Sequence, residues 1–395
     1  MKVAELRTFV VGNPPPSFGG RYFVFLTLTT DDGITGVGEV YAATFHPRAL
    51  EPMIADVYEH HVEGADPFAI EALTRRIAMR GFSGRPDLSL MGVTSGLEMA
   101  CWDIVGKALG RPVFDLLGGR VHDRLRAYTY LYTEPDDQVD VYVDPDLAAE
   151  RAAAYAEEGF TALKFDPLGP YSAFDPRQPS LEALARSETY VARVREAVGD
   201  RCDLLFGTHG QLTPAGAVRL ARRLERFDPL WFEEPVPPDS PEEMAIVARA
   251  TTIPIATGER LTTKHEFARV LRTGAAAILQ PNLGRVGGLL EAKKIAGMAE
   301  AHYAQIAPHL YCGPVVGAAN IQLATCSPNF LVLEGIGRWD GFHAEILKRP
   351  IRWEEGHVIP PTEPGLGVEL DEEVALAHPY DGDELHLTPA GDPVV

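Results

Sequence analysis

Several things are scarce in this chain, and each scarcity closes off a class of function. Cysteine occurs four times, at Cys101, Cys202, Cys312 and Cys326, with no CxxC pair. That scatter fits neither a disulfide framework nor a structural zinc site, and leaves four small, mostly buried side chains. No apolar run approaches the roughly 18 residues needed to span a bilayer. The opening stretch MKVAELRTFVVGNPPP also lacks the apolar segment and small-residue cleavage site of a secretory signal. The expectation is a cytoplasmic protein with no membrane partner. Basic residues are few, 36 Lys plus Arg against 56 Asp plus Glu, for a formal charge of -20. Binding to a phosphate backbone runs on Lys and Arg, so a nucleic-acid partner is not expected either. Any anionic small-molecule substrate would need a locally positive site, from a metal or a few placed cations.

What is present reads as an ordinary globular chain: 395 residues, 46% hydrophobic and 23% charged. That length favours two domains, although barrels alone can exceed about 250 residues. Residues 21–30 (RYFVFLTLTT) read as a strand, Asp31-Asp32-Gly33 as a turn and residues 34–40 as the returning strand. From about Pro47 to Gly110 the pattern is helical. Then a second rhythm begins. Short β-prone runs at 125–132, 162–165, 204–206, 231–232, 253–256, 277–279, 305–307 and 330–333 alternate with helical stretches of about a dozen residues. Eight such strands is the closure number of a (β/α)-barrel. The expected organisation is an α+β capping domain over residues 1–120, a TIM-like (β/α)-barrel over 121–345, and a C-terminal segment, 346–395, that packs back on the cap and completes it.

In such barrels the active site lies where the strands end. The second of these strands ends at Lys164-Phe165-Asp166 and the third at Gly207-Thr208-His209. The fourth and fifth end at Glu233-Glu234-Pro235 and Gly258-Glu259-Arg260. The sixth to eighth end at Gln280-Pro281-Asn282, Pro308-His309 and Glu334. One ionisable residue at a strand end is an ordinary cap or rim ion pair; a ring of them around one mouth is a site. Glu233 and Glu259, on adjacent strands, suit a hard divalent cation such as Mg²⁺, which takes oxygen ligands and keeps positions open for substrate oxygens.

These residues resemble the enolase superfamily, in its mandelate racemase subgroup, and are most similar to the galactonate-type acid-sugar dehydratases. The likeness runs nearly the whole chain. It rests on Gly38-Glu39, Asp103, Gly110-Arg111-Pro112, Phe232-Glu233-Glu234-Pro235, Gly258-Glu259-Arg260, Gln280-Pro281, Gly287-Gly288 and Ala307-Pro308-His309. The resemblance implies a Mg²⁺-dependent lyase acting on a sugar acid: the carboxylate binds the metal, a base removes the neighbouring proton, and an enediolate forms. It implies His309 as base, His209 as the acid that expels hydroxide, Lys164 as a holder of the substrate carboxylate, and Glu334 as a hydrogen-bonding partner of the enediolate. A homo-oligomer is also expected from the resemblance.

Three positions depart from the pattern. Gly207 stands where the family has its first metal-binding Asp, Asn282 where it has the Asp partner of the strand-seven histidine, and Asp166 where it has a second lysine. The expectations are that Asp166 or His209 supplies a third metal ligand, and that Asn282 orients His309 without strengthening it as a base. Asp166 could also serve as a second base. That keeps open a racemase, epimerase or cycloisomerase as alternatives to the dehydratase, and a non-catalytic small-molecule binder as a rival of another class.

Overall fold

The computed structural model describes residues 1–387 apart from 43, 83, 170, 173 and 174. The end of the expected C-terminal segment, 388–395, therefore lies outside the described residues. The chain opens with three antiparallel strands, β1 (Val3–Gly12), β2 (Tyr22–Thr30) and β3 (Thr35–Glu39), in the order β1-β2-β3. The β2–β3 hairpin turns through Asp31-Asp32-Gly33, as the turn residues predict. The expected helical region resolves into helices at Pro47–Val57, Ile70–Ala78 and Leu88–Leu109. Asp87 caps the start of the last helix by accepting from the Ser89 and Leu90 N–H groups, and Gly110 ends it in a left-handed conformation. This helix packs very closely on β3: a Cβ at Gly38 would sit 1.9 Å from the Gly96 carbonyl oxygen. Only glycine permits that approach.

The eight expected strands all form: β4 (Leu125–Tyr130), β5 (Ala162–Phe165), β6 (Asp203–Gly207), β7 (Trp231–Glu233), β8 (Ile255–Thr257), β9 (Ile278–Leu279), β10 (Gln305–Ile306) and β11 (Leu333–Glu334). They pair in parallel in sequence order from β4 to β10. β11 returns to pair with β4, and an Ile306–Phe330 bridge joins β10 to the chain entering β11. That closes a (β/α)-barrel. Proline opens the intervening helices Pro145–Glu157, Pro214–Leu224, Pro241–Ala250 and Pro314–Thr325, at the position where its missing N–H costs nothing.

Alternation along the strands decides what faces the barrel's interior. Tyr128, Ala162, Leu205, Trp231, Ala256, Ile278, Ala307 and Val332 fill it as one cluster, with Tyr128 edge-on to Trp231. Leu163, Phe165, Leu204, Phe206 and Phe232 point outward to the helices. Two residues beyond an inward one is again inward, so Lys164, Gly207 and Glu233 form the next layer up, at the mouth.

The helix Pro314–Thr325 is buried along its whole length. Its weak amphipathic pattern in sequence has that physical cause: it lies between barrel and cap, and no face meets water. The cap grips it through Glu39, whose carboxylate accepts from the Gly313 and Val316 N–H groups. Glu98 does the same for Leu289 and Leu290 at the start of helix Leu289–Ala301. The tail first forms a small hairpin, β12 (Trp353–Glu354) and β13 (His357–Val358), whose second strand pairs with β4 of the barrel. Farther on, Gly365 and Leu366 meet Asp103, and Pro379 bridges to Val11 of β1.

Candidate active site

A cavity of about 510 Å³ opens at the mouth of the barrel. Of the residues singled out from sequence, Asp166, His209, Glu259 and His309 line it. Lys164, Glu233, Asn282 and Glu334 lie beneath it, buried.

The buried layer is closed upon itself. Lys164 Nζ donates to Glu233 Oε1 at 2.6 Å and lies 3.4 Å from Glu334 Oε1. The second Glu233 oxygen accepts from Gln280 Nε2 at 2.7 Å, and the second Glu334 oxygen from the Leu310 N–H at 2.7 Å. Burial opposes a charge on Lys164, but Glu233, Glu334 and Glu259 outweigh it and hold the ammonium protonated, above the ordinary lysine range. Burial, with Glu259 and Glu334 close by, pushes the Glu233 carboxyl up to about 8 in spite of Lys164. Three carboxylates therefore share one ammonium, and a proton is drawn into the cluster. The Tyr130 ring covers it from above, 4.8 Å from Lys164 Nζ.

Two histidines face the cavity in opposite states. Asp166 Oδ1 is 3.3 Å from His209 Nδ1. Burial would lower the His209 pKa, but Asp166, with Glu259 beyond it, outweighs burial and raises it to about 9. The Tyr130 hydroxyl lies 3.5 Å from His209 Nε2, and Tyr171 stacks on the imidazole at 4.5 Å. His209 also holds a left-handed backbone conformation (φ 49°), uncommon outside glycine, so the local chain is bent to aim it. His309 differs. Burial is the largest influence on it and lowers its pKa, against Glu334 and Glu259. Asn282 Nδ2 sits 2.8 Å from His309 Nδ1, while Asn282 Oδ1 accepts from the Gly284 N–H at 2.8 Å. An amide nitrogen can only donate, so Nδ1 accepts and the neutral ring carries its proton on Nε2. That Nε2 lies 3.2 Å from Glu259 Oε2. Burial would raise Glu259, but the two histidines, Lys164 and Arg260 outweigh it and keep it ionised.

Whether a magnesium ion fits follows from these contacts. Mg²⁺ demands near-octahedral oxygen ligands at about 2.0–2.1 Å. Glu233 already has a donor on each oxygen. Gly207 brings no oxygen, and a Cβ there would meet Tyr130 Oη at 2.7 Å, Asp166 Oδ1 at 3.0 Å and Lys164 Cε at 3.2 Å. Among the described residues no three His, Cys, Asp or Glu side chains are grouped to hold a metal. Asp166 and His209, the two residues expected as a third ligand beside Glu233 and Glu259, face each other here, and Glu233 faces Lys164. The residues present do not fit the ion.

Sequence reasoning missed much of the cavity wall: Tyr130, Tyr132, Tyr142, Tyr171, Tyr311 and Arg285. A signal was available in β4 and its extension, where Tyr128, Tyr130 and Tyr132 recur with period two on the inward face. The others come from loops whose course only the fold reveals.

Comparison with known proteins agrees with this architecture. Residues 16–118 match the mandelate racemase / muconate lactonizing enzyme N-terminal domain, and residues 146–374 the enolase C-terminal domain-like family. A D-galactonate dehydratase of Verminephrobacter eiseniae is 36% identical, covering 96% of this chain and 95% of its own. A D-xylonate dehydratase of Haloferax volcanii is 33% identical over 96% of this chain and 89% of its own. A solved structure from Roseovarius sp. TM1035, a mandelate racemase/muconate lactonizing enzyme-like protein, is 52% identical and superposes with a TM-score of 0.97 over 100% of this chain and 99% of that one. Another, from Labrenzia alexandrii DFL-11 and named after the same two enzymes, is 62% identical with a TM-score of 0.97 over the full length of both chains. The chain belongs to the mandelate racemase/muconate lactonizing enzyme family of the enolase superfamily.

Proposed function

We propose that this protein is a dehydratase of a sugar acid, and that His209, backed by Asp166, is its base. The observation that carries the assignment is the pair of contacts on the imidazoles: Asp166 at Nδ1 of His209, and the Asn282 amide at Nδ1 of His309. In the resemblance His309 is the base. With Nδ1 accepting from Asn282, however, His309 has no lone pair on the nitrogen that faces the cavity side, Nε2. His209 has the complementary arrangement, Nδ1 toward a carboxylate and Nε2 toward the cavity.

The steps balance on one residue. His209 Nε2 takes the proton from the carbon beside the substrate carboxylate. The enediolate then expels the hydroxyl on the next carbon, which leaves as water with that same proton. The enol becomes a keto acid by taking a proton from solvent. His309 remains neutral and holds Glu259 through its Nε2–H. Asp166 is a positioning residue that keeps His209 in the right tautomer and raises its basicity. The relatives named D-galactonate and D-xylonate dehydratase support a polyhydroxy carboxylate as substrate.

The racemase alternative needs bases on both faces of the substrate, and the tautomer of His309 leaves the second face without one. Among the described residues no helix is long and apolar enough to cross a membrane. The four free cysteines support a cytoplasmic location, and a homo-oligomer is proposed on the family likeness. Turnover of a panel of sugar acids, followed by detection of a 2-keto-3-deoxy product, tests the reaction. Proton exchange beside the carboxylate with no loss of water would contradict it.

A further inference from the structure

The mismatch between this site and magnesium has a positive side. We propose that the enzyme works without a divalent cation, and that Arg285 receives the substrate carboxylate the ion would otherwise hold. The inference rests on the dehydratase reading above.

Three contacts occupy the place of the metal. Lys164 Nζ and Gln280 Nε2 take one oxygen each of Glu233, at 2.6 and 2.7 Å. Glu259 is turned to His309. The room a ligand at position 207 would need is filled by the Tyr130 hydroxyl and the Lys164 side chain. The Lys164 ammonium thus satisfies as a structural charge what the family satisfies with an ion, and Tyr130 separates it from the cavity.

A carboxylate entering beside Glu259 and Asp166 still needs a cation. Lys164 is fully buried, and Arg260 is clamped on Glu234, which accepts from both its Nε and Nη2. Arg285 lines the cavity, its guanidinium carbon 4.0 Å above the Tyr41 ring. Its one described hydrogen bond runs from Nη1 to the Glu259 carbonyl oxygen, at a long 3.3 Å. A guanidinium carries five donors in a planar fork matched to a carboxylate, and stacking on Tyr41 keeps that fork in place.

The test has two arms. Metal content of the purified protein, and calorimetric titration with MgCl₂ and with MnCl₂, are read without substrate. The expected result is far less than stoichiometric metal and no binding heat; on any sugar acid that is turned over, EDTA should leave the rate unchanged. Stoichiometric magnesium that disappears in Glu259→Gln, or EDTA-quenched turnover restored by magnesium, would overturn the proposal. In the second arm Arg285→Met raises the KM for the sugar acid roughly tenfold or more with a smaller change in kcat, and Arg285→Lys recovers part of the loss. An unchanged KM in Arg285→Met would overturn it too. Failure of D-galactonate, D-xylonate and related acids to turn over contradicts the dehydratase reading alone, because the metal arm is independent of it.

Discussion

Asn282 hands its amide N–H to His309 Nδ1 at 2.8 Å, and its oxygen is pinned by the Gly284 N–H, so the amide cannot turn round without losing a buried bond. One side-chain atom thereby sets where the His309 proton sits. A carboxylate at the same place would accept from Nδ1 and leave Nε2 with its lone pair.

Asn282→Asp is the direct consequence. It keeps the acceptor for Gly284, reverses the His309 tautomer and makes that ring a base. The pH–rate profile should gain a limb near neutrality, with a rate at neutral pH roughly tenfold higher. A profile identical to that of the unaltered enzyme would contradict the tautomer assignment.

Asp166→Asn should act in the opposite sense on the other histidine. Asp166 is what lifts His209 to about 9, so removing its charge should bring the His209 titration down toward or below the usual histidine value, about 6.5. The weaker, less well oriented base should cost roughly 10²-fold in kcat on the alkaline plateau, while the limb of the pH–rate profile moves down with the His209 titration. NMR titration of the His209 ring and kinetics read both effects.

Gly207→Asp restores the family's missing carboxylate in letters only. Its Cβ would press on the Tyr130 hydroxyl at 2.7 Å and stand 3.0 Å from the Asp166 carboxylate. The variant should lose about 1–3 kcal/mol of stability by crowding and like-charge repulsion, and should still bind no magnesium. Calorimetry showing tight magnesium binding would mean that the layer opens more readily than its contacts imply.

How much of this was legible in letters depends on the residue. The strand ends were: the spacing that brought Lys164, Glu233, Glu259 and His309 to one mouth follows from βα rhythm, and the odd residues Gly207, Asn282 and Asp166 stood out against it. The partner of each side chain was not legible. That Lys164 turns to Glu233, and Asp166 to His209, depends on distances across the barrel set by the inward residues of all eight strands. Tyr130 was readable as inward by alternation, but its lying over Lys164 was not. Arg285 and Tyr171 sit in loops, where sequence carries no period to fix direction.

The join between cap and barrel has its own pH signature. Burial raises Glu39 to about 7, against the backbone N–H groups that its carboxylate accepts from. The folded value lies above the unfolded one, near 4.5, so the folded state binds the extra proton. This contribution to stability is complete below about pH 4.5 and is lost as pH rises through about 7. Glu39→Gln should remove that dependence, worth on the order of 3 kcal/mol. Denaturant midpoints of the two proteins, compared from acid to neutral pH, should change their spacing across that window; a constant spacing would contradict it.

The identity of the base is read most directly from kcat/KM against pH on an accepted sugar acid, from about pH 6 to about pH 10. With His209 as base, activity rises across neutrality and levels only near pH 9, where His209 sheds its proton. A plateau already reached at neutral pH, with its limb near or below the ordinary histidine value, would assign the base to His309 and contradict the account.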